Sequence, residues 1–234
     1  MSKTPLVLLP GMLCDAALWS HQLTHLSEIA DVSVGNLTEA DTLAGTARAI
    51  LRRAPERFAL AGLSLGGIVA FEVMRQAPKR VTRLALLDTN ARPPRPEQLG
   101  VWQRFRTMTR QGRFAEITEQ HLLPVLVAPD RQQDTALTTT IRQMAEHIGP
   151  EAFLRQLSLQ EQRPDSRVDL PYISCPTLVL AGRQDMLCPL DMHEEIAAAI
   201  PCATLVVIEH CGHLSSLEQP QAVTVALRSW LQRT

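Results

Sequence analysis

Ser64 lies in Gly62-Leu63-Ser64-Leu65-Gly66, a G-x-S-x-G pentapeptide. A serine hydroxyl attacks a carbonyl carbon only when a base takes its proton, and the base acts best when an acid fixes its ring. The flanks of Ser64 suit that chemistry. Arg57–Ala61 reads as a short buried strand, and Gly66–Gln76 reads as a helix stopped by Pro78. On so tight a strand-to-helix turn the serine's backbone is strained and its neighbours must be small. The turn lifts the hydroxyl off the sheet edge, and the helix points its positive N-terminal end at the same place.

Candidates for the base and the acid each follow an apolar run with strand character. Thr177–Gly182 is followed by Arg183-Gln184-Asp185, and Thr204–Ile208 by Glu209-His210-Cys211-Gly212-His213. In an open parallel sheet, ligands collect at the carboxyl ends of strands. Ser64, Asp185 and His213 all sit just past such ends. His213 is preferred to His210 because Gly212 frees the backbone to turn the ring inward. Asp88, after the strand Val81–Leu87, is placed to cap the Thr89-Asn90 turn.

Together these motifs resemble the α/β-hydrolase superfamily. The resemblance rests on Leu9-Pro10-Gly11-Met12, Gly62 to Gly67, Gly182-Arg183-Gln184-Asp185, and Gly212-His213-Leu214 with Glu218-Gln219-Pro220 behind it. It covers both ends of the chain and leaves the middle unmatched. It implies Ser64 as nucleophile, His213 as base and Asp185 as acid, with Asp88 as the alternative acid because relatives sometimes draw it from the strand after the elbow, and an oxyanion hole from the backbone N–H groups of Leu65 and Met12. The first loop departs from the family pattern, reading Leu-Pro-Gly where many relatives have His-Gly. The chain also enters directly into the strand before that loop, so a leading hairpin is expected to be short or missing.

The elements that must position these residues alternate. Strands are expected at Leu6–Leu9, Val32–Val34, Val81–Leu87 and the runs already named. Helices are expected at Trp19–Leu26, Thr42–Arg53, Leu190–Ile200 and from Pro220 onward, where Val223, Leu227, Trp230 and Leu231 form an apolar stripe. This pattern predicts an α/β fold with a mostly parallel central sheet covered by helices on both faces. Asp15 and Trp19 are read as loop-fixing and core residues.

Residues 92–168 break the alternation. After Arg92-Pro93-Pro94-Arg95-Pro96 the patterns are helical, at Glu97–Gln111, Phe114–Leu122, Asp134–His147 and Glu151–Gln160. The resemblance makes this an all-helical cap insertion over a hydrolase core of 1–91 and 169–234. Trp102, Phe105, Met108, Phe114, Leu122, Leu123 and Phe153 are candidates to line a substrate pocket, against the alternative that they hold the cap helices together. The segment has eleven arginines, no lysine and nine acids. Arg106, Arg110 and Arg113 share a helical face, which is either a solvated face or a landing place for an anionic substrate or an acidic carrier protein.

Composition excludes several classes. The 234 residues are 45% hydrophobic and 20% charged, with a net charge of -1, which allows a sizeable core and gives no reason to expect nucleic acid or a membrane as partner. There is no apolar run long enough for a transmembrane helix and no signal-peptide pattern. Cys14, Cys175, Cys188, Cys202 and Cys211 lack metal spacing and cannot all pair, so a reducing cytoplasm is expected. Cys14 and Cys211 fall near the site and are read as small core residues. His21, His25, His121, His147 and His193 have no helix-spaced ligand partner and are read as surface or capping residues. No metal and no cofactor is expected, and the oligomeric state is left open.

The resulting expectation is a serine hydrolase that cleaves a small-to-medium carboxylic ester through an acyl-enzyme. The same fold also serves carbon–carbon bond hydrolases, thioesterases, carrier-bound ester hydrolases and pyruvate-eliminating menaquinone-pathway synthases. A slow-turnover ligand receptor would carry the same residues.

Overall fold

Apolar side chains alternate between two faces along the strands, and each face collects its own core. We describe residues 3–233 in a computed structural model; the expected core limits at residues 1 and 234 lie outside them. The strands are β1 (Thr4–Leu9), β2 (Ala30–Val34), β3 (Phe58–Leu63), β4 (Val81–Leu87), β5 (Thr177–Gly182) and β6 (Ala203–Ile208). Among the described residues they form one sheet in the order β2-β1-β3-β4-β5-β6, with every neighbouring pair parallel. Leu9, Phe58, Leu60, Leu84, Leu86 and Val179 face one core, whereas Leu8, Ala59, Ala61, Leu63, Ala85 and Leu180 face the other. The period of two sets that division.

Helices cover both faces. On the first face lie α2 (Leu43–Arg53), α3 (Leu65–Gln76) and α6 (Leu190–Ala199), through residues such as Ile50, Ile68 and Ile196. On the second lie α1 (Ser20–Leu26) and α7 (Pro220–Gln232), through Leu26, Val223, Leu227, Trp230 and Leu231. Thr42 caps α2 by accepting the Gly45 N–H at 3.1 Å. β3 runs two residues further than expected, because Gly62 and Leu63 still pair with Leu86 and Leu87. It therefore ends immediately before Ser64.

The pairing register brings Leu9, Leu63, Leu87, Gly182 and Ile208 to one edge of the sheet. The loops that follow them carry Met12, Ser64, Asp88, Asp185 and His213. No helix among the described residues is long and apolar enough to cross a membrane.

Between β4 and β5 the described residues contain no strand. The segment holds α4 (Pro96–Arg110) and α5 (Thr135–Glu161). Asp134 caps α5, and Gly149, with φ 75° and ψ 169°, breaks it just before Pro150, so the two helices expected there meet at a kink. The expected helix Phe114–Leu122 is less regular. Phe114–Glu116 is one α-turn, Ile117–Leu122 is a π-helical turn and Leu123–Leu126 returns to α geometry. Pro124 has no N–H and crowds the carbonyl four residues back, which favours the wider turn.

Gly66 and Gly100 make opposite demands. A Cβ at Gly66 would lie 2.2 Å from the Leu9 carbonyl oxygen and 2.8 Å from that of Pro10, whereas one at Gly100, in α4, would meet nothing within 4 Å. Gly66→Ala should cost about 3 kcal/mol or more, because backbone cannot yield as a side chain does. Gly100→Ala should gain roughly 0.5–1 kcal/mol through helix propensity. Urea melts of the two variants check both signs.

Candidate functional site

Ser64 has φ 55° and ψ -116°, a conformation that L-residues avoid. Its surroundings hold it there. The Ser64 N–H donates to the Leu87 carbonyl at 3.0 Å, and the Ser64 carbonyl accepts the Thr89 hydroxyl at 2.8 Å. The Ser64 Oγ lies 2.8 Å from His213 Nε2, and His213 Nδ1 lies 2.8 Å from Asp185 Oδ2. Asp185 Oδ1 accepts the N–H groups of Leu187 and Cys188 at 2.8 and 2.9 Å. An acceptor-only carboxylate puts the imidazole proton on Nδ1 and leaves Nε2 free to accept the serine hydroxyl. His213 is only 2% exposed. Burial pulls its pKa down, but the charge and hydrogen bond of Asp185 outweigh that and leave it raised.

The backbone N–H groups of Met12 and Leu65 have no acceptor among the described residues. The loop carrying Met12 is fixed from the helical segment, since the Leu13 N–H donates to Gln156 Oε1 at 3.0 Å. Leu13 itself has φ 58°. Gln156 went unrecognised in the sequence, where nothing sets it apart from its neighbours.

Asp88 makes no hydrogen bond to His213. It accepts the Gly182 N–H at 3.0 Å and the Ser215 N–H at 3.3 Å, and it pairs closely with the Ser215 hydroxyl. Full burial, then the nearby Asp185 charge, push its pKa up to about 8. A carboxyl that resists ionisation is poorly suited to hold an imidazolium. Its bonds tie the ends of β4 and β5 to the turn after His213.

That turn depends on Glu218. Its buried carboxylate accepts the N–H groups of Gly212 at 3.0 Å, Leu214 at 3.2 Å and Ala128 at 2.8 Å. The N–H of His213 donates in turn to the Leu126 carbonyl at 3.1 Å. Gly212 does not take a left-handed conformation; it is needed for space, because a Cβ there would lie 2.5 Å from the Ala128 nitrogen. The left-handed residue is His210, at φ 52°, and it is exposed.

A cavity of about 340 Å³ opens onto Ser64 and His213. Trp102, Phe105 and Leu122 line it, together with Ile68, Val125 and Leu126. The other four candidates lie elsewhere. Met108, Phe114 and Phe153 pack among the helices of the segment, and Leu123 packs against the sheet-side core. The helical turn decides this, since neighbours on one helix point to different faces. Val101, Met186 and Leu187 form an exposed apolar stretch of the cavity wall. Arg163, Gln98 and Gln160 give it a polar part.

Of the two roles expected for His193, the surface one does not hold and the capping one does. It is wholly buried, and its Nε2 accepts the Thr89 N–H at 3.1 Å; burial drives its pKa down to about 4. His121 lies on the cavity wall, whereas His147 reaches Asp15 at 2.6 Å and His21 reaches Thr224 at 2.8 Å. Among the described residues, two buried groups bring potential metal donors within 4.8 Å, namely Asp185 with Cys188 and His213, and Asp88 with Asp185 and His193. Their atoms are already engaged, and burial raises the Cys188 pKa, which keeps it a thiol. Burial likewise pushes Cys14 up to about 12. The expected shared face of Arg106, Arg110 and Arg113 does not form, because α4 ends at Arg110 and Gly112, at φ 77°, turns the chain before Arg113; Arg106 is paired with Glu161 and Arg113 with Glu116.

Comparison with known proteins agrees with this architecture. The sequence profile of the alpha/beta hydrolase fold family matches residues 47–220. A thermophilic esterase from Thermogutta terrifontis, solved with malate bound, is 32% identical; the match covers 99% of this chain and 90% of that one, with a TM-score of 0.91. The pimeloyl-[acyl-carrier protein] methyl ester esterase of Nitrosomonas europaea is 26% identical over 229 residues, 92% of this chain and 91% of that protein. The enol-lactonase of Burkholderia xenovorans shares the fold, at 23% identity and a TM-score of 0.90 over 100% of this chain and 93% of that one. With the profile spanning most of the sequence and the sheet order in place, the chain belongs to the alpha/beta hydrolase fold family.

Proposed function

We propose that this protein is a serine hydrolase of small-to-medium carboxylic esters, working through an acyl-enzyme. The observation that carries the reading is the unbroken relay from Ser64 through His213 to Asp185, with both links at 2.8 Å. His213 Nε2 takes the hydroxyl proton as Ser64 Oγ attacks the ester carbon. The oxyanion forms against the free N–H groups of Met12 and Leu65. His213 then protonates the departing alkoxide, and water repeats the sequence to release the acid. The helical segment acts as a cap, excluding water and selecting the acyl group. The esterase names of the relatives favour ester over carbon–carbon or thioester cleavage. A carrier-bound ester is the second reading, favoured by the acyl-carrier relatives. Arg106 and Arg113 lend it little support, because both are already paired.

Ser64→Ala should lower turnover of a short p-nitrophenyl ester by roughly three orders of magnitude or more while leaving the fold intact. A fluorophosphonate probe should label wild type and not this variant. Labelling that survives the substitution would remove Ser64 from its role, and one acylation followed by a stall would point to a receptor.

The acid limb follows from the raised His213 pKa. Only neutral imidazole acts as base, so kcat/KM should rise with pH through a midpoint above the ordinary value of about 6.5. Asp185→Asn removes the two largest causes that raise this pKa and leaves burial against the weaker charges of Asp88 and Glu218, so the midpoint should fall relative to wild type, and turnover should drop by about three to four orders of magnitude. Asp88→Asn should cost activity far less. A pH–rate profile of the three proteins checks the order.

Phe105→Ala should change preference among acyl chain lengths by about 1–3 kcal/mol, the scale of lost apolar pocket contacts. Rates on an acetate ester should change much less. A p-nitrophenyl ester series reads both.

A further inference from the structure

Arg163 is the one buried arginine among the described residues of the helical segment. Arg92 pairs with Asp191 and Glu195, Arg106 with Glu161, and Arg167 with Asp165. Those side chains are all more exposed than Arg163, which is 5% exposed and meets no carboxylate among the described residues. A buried guanidinium without a counter-charge is costly and calls for a reason.

Its hydrogen bonds show what is left over. Nε donates to the Arg92 carbonyl at 3.0 Å, Nη1 to Gln160 Oε1 at 2.6 Å and Nη2 to Gln98 Oε1 at 2.9 Å. The face of Trp102 lies under the guanidinium, 5.2 Å from ring centroid to Cζ. A guanidinium has five N–H groups, so one remains on each terminal nitrogen, as many as a carboxylate has oxygens. Gln98 and Gln160 have turned their oxygens to Arg163, which leaves their amide N–H groups without an acceptor among the described residues. All three side chains line the cavity that holds Ser64 and His213. This part of the wall therefore offers donors, and its buried charge is positive. The other charged lining groups, Arg95 and Glu97, are exposed and oppose one another. Burial, with the charge of Arg95, lowers the Arg163 pKa to about 10, so the group stays cationic at neutral pH.

We propose that the substrate of this site carries a free carboxylate in addition to its ester, and that Arg163 receives it while Ser64 meets the ester carbonyl. The substrate class is the half-ester of a dicarboxylic acid. The inference rests on the reading of the site as a serine esterase. Carboxylate matches an acceptor-only, planar, singly charged group to a planar donor fork.

The test compares monomethyl half-esters of succinate through suberate with methyl alkanoates of equal length, following methanol release by the full-length protein. Wild type should prefer the half-ester of best length by about tenfold or more in kcat/KM. Arg163→Gln should lose about 30- to 100-fold on it, mainly through KM, the range for a lost hydrogen-bonded charge. The same variant should change the matching alkanoate less than about threefold, and Arg163→Lys should recover part of the loss. Equal falls on both ester classes would reduce Arg163 to a support for the Arg92 carbonyl and overturn the proposal. A second measurement needs neither a variant nor turnover. By calorimetry, adipate should bind wild type at least about tenfold more tightly than hexanoate, and equal binding would also overturn the proposal. A clear adipate preference in a protein that hydrolyses none of the esters would count against the esterase reading alone.

Discussion

A buried imidazole held between a carboxylate and a hydroxyl is the constraint on which the rest of the structure depends. Water cannot solvate His213 or Asp185, so each polar atom needs a protein partner. Asp185 meets this with His213 on one oxygen and two backbone amides on the other. The imidazole meets it with Asp185 and Ser64. Neither residue can shift without leaving a buried donor or acceptor unpaired. The loops that carry them must therefore be held as firmly as the strands they follow.

The holding groups are themselves buried and polar. Glu218 gathers the amides of Gly212, Leu214 and Ala128, and Asp88 gathers those of Gly182 and Ser215. His193 accepts from Thr89, whose hydroxyl supports the Ser64 carbonyl. Glu218 and Asp88 each close several backbone donors in the loops around the site, and His193 closes one. Such networks define a single geometry only when fully satisfied. They also cross between the sheet and the helical segment, because Leu126, Ala128 and Gln156 bond to the turns carrying His213, Glu218 and Leu13.

The fold and the positions of Ser64, Asp185 and His213 were legible in the sequence because parallel strands leave a plain record. Apolar runs such as Thr177–Gly182 end at one edge of the sheet, and residues just past those ends fall together whatever happens between them. The cavity wall left no such record. Phe105 and Phe153 have the same residue type on neighbouring helices, yet one faces the cavity and the other the interior of the segment. Helix rotation and the π-helical turn at Ile117–Leu122 decide that, and both arise from packing. Arg163, and the role of Glu218 within its motif, were hidden for a related reason. A charged residue in sequence reads as exposed, and only the folded chain shows which charges are enclosed. Gly212 was singled out for the wrong reason: it yields space to Ala128 and supplies no unusual backbone angle.

The polar ties also decide which side of the cavity can yield. Movement near Val127 and Ala128 would strip Glu218 of a buried amide and uncouple the His213 N–H from Leu126. Movement near Gln156 would release Leu13 and disturb the Met12 amide. Another part of the cavity lining is different. Val101, Met186 and Leu187 are exposed, and their side chains can shift without breaking a buried hydrogen bond. Exposed apolar side chains hop between rotamers on a picosecond-to-nanosecond scale. The tied segments meanwhile keep the Met12 loop and the His213 imidazole in register. Rigidity at one wall and compliance at the other thus follow from where buried hydrogen bonds are concentrated.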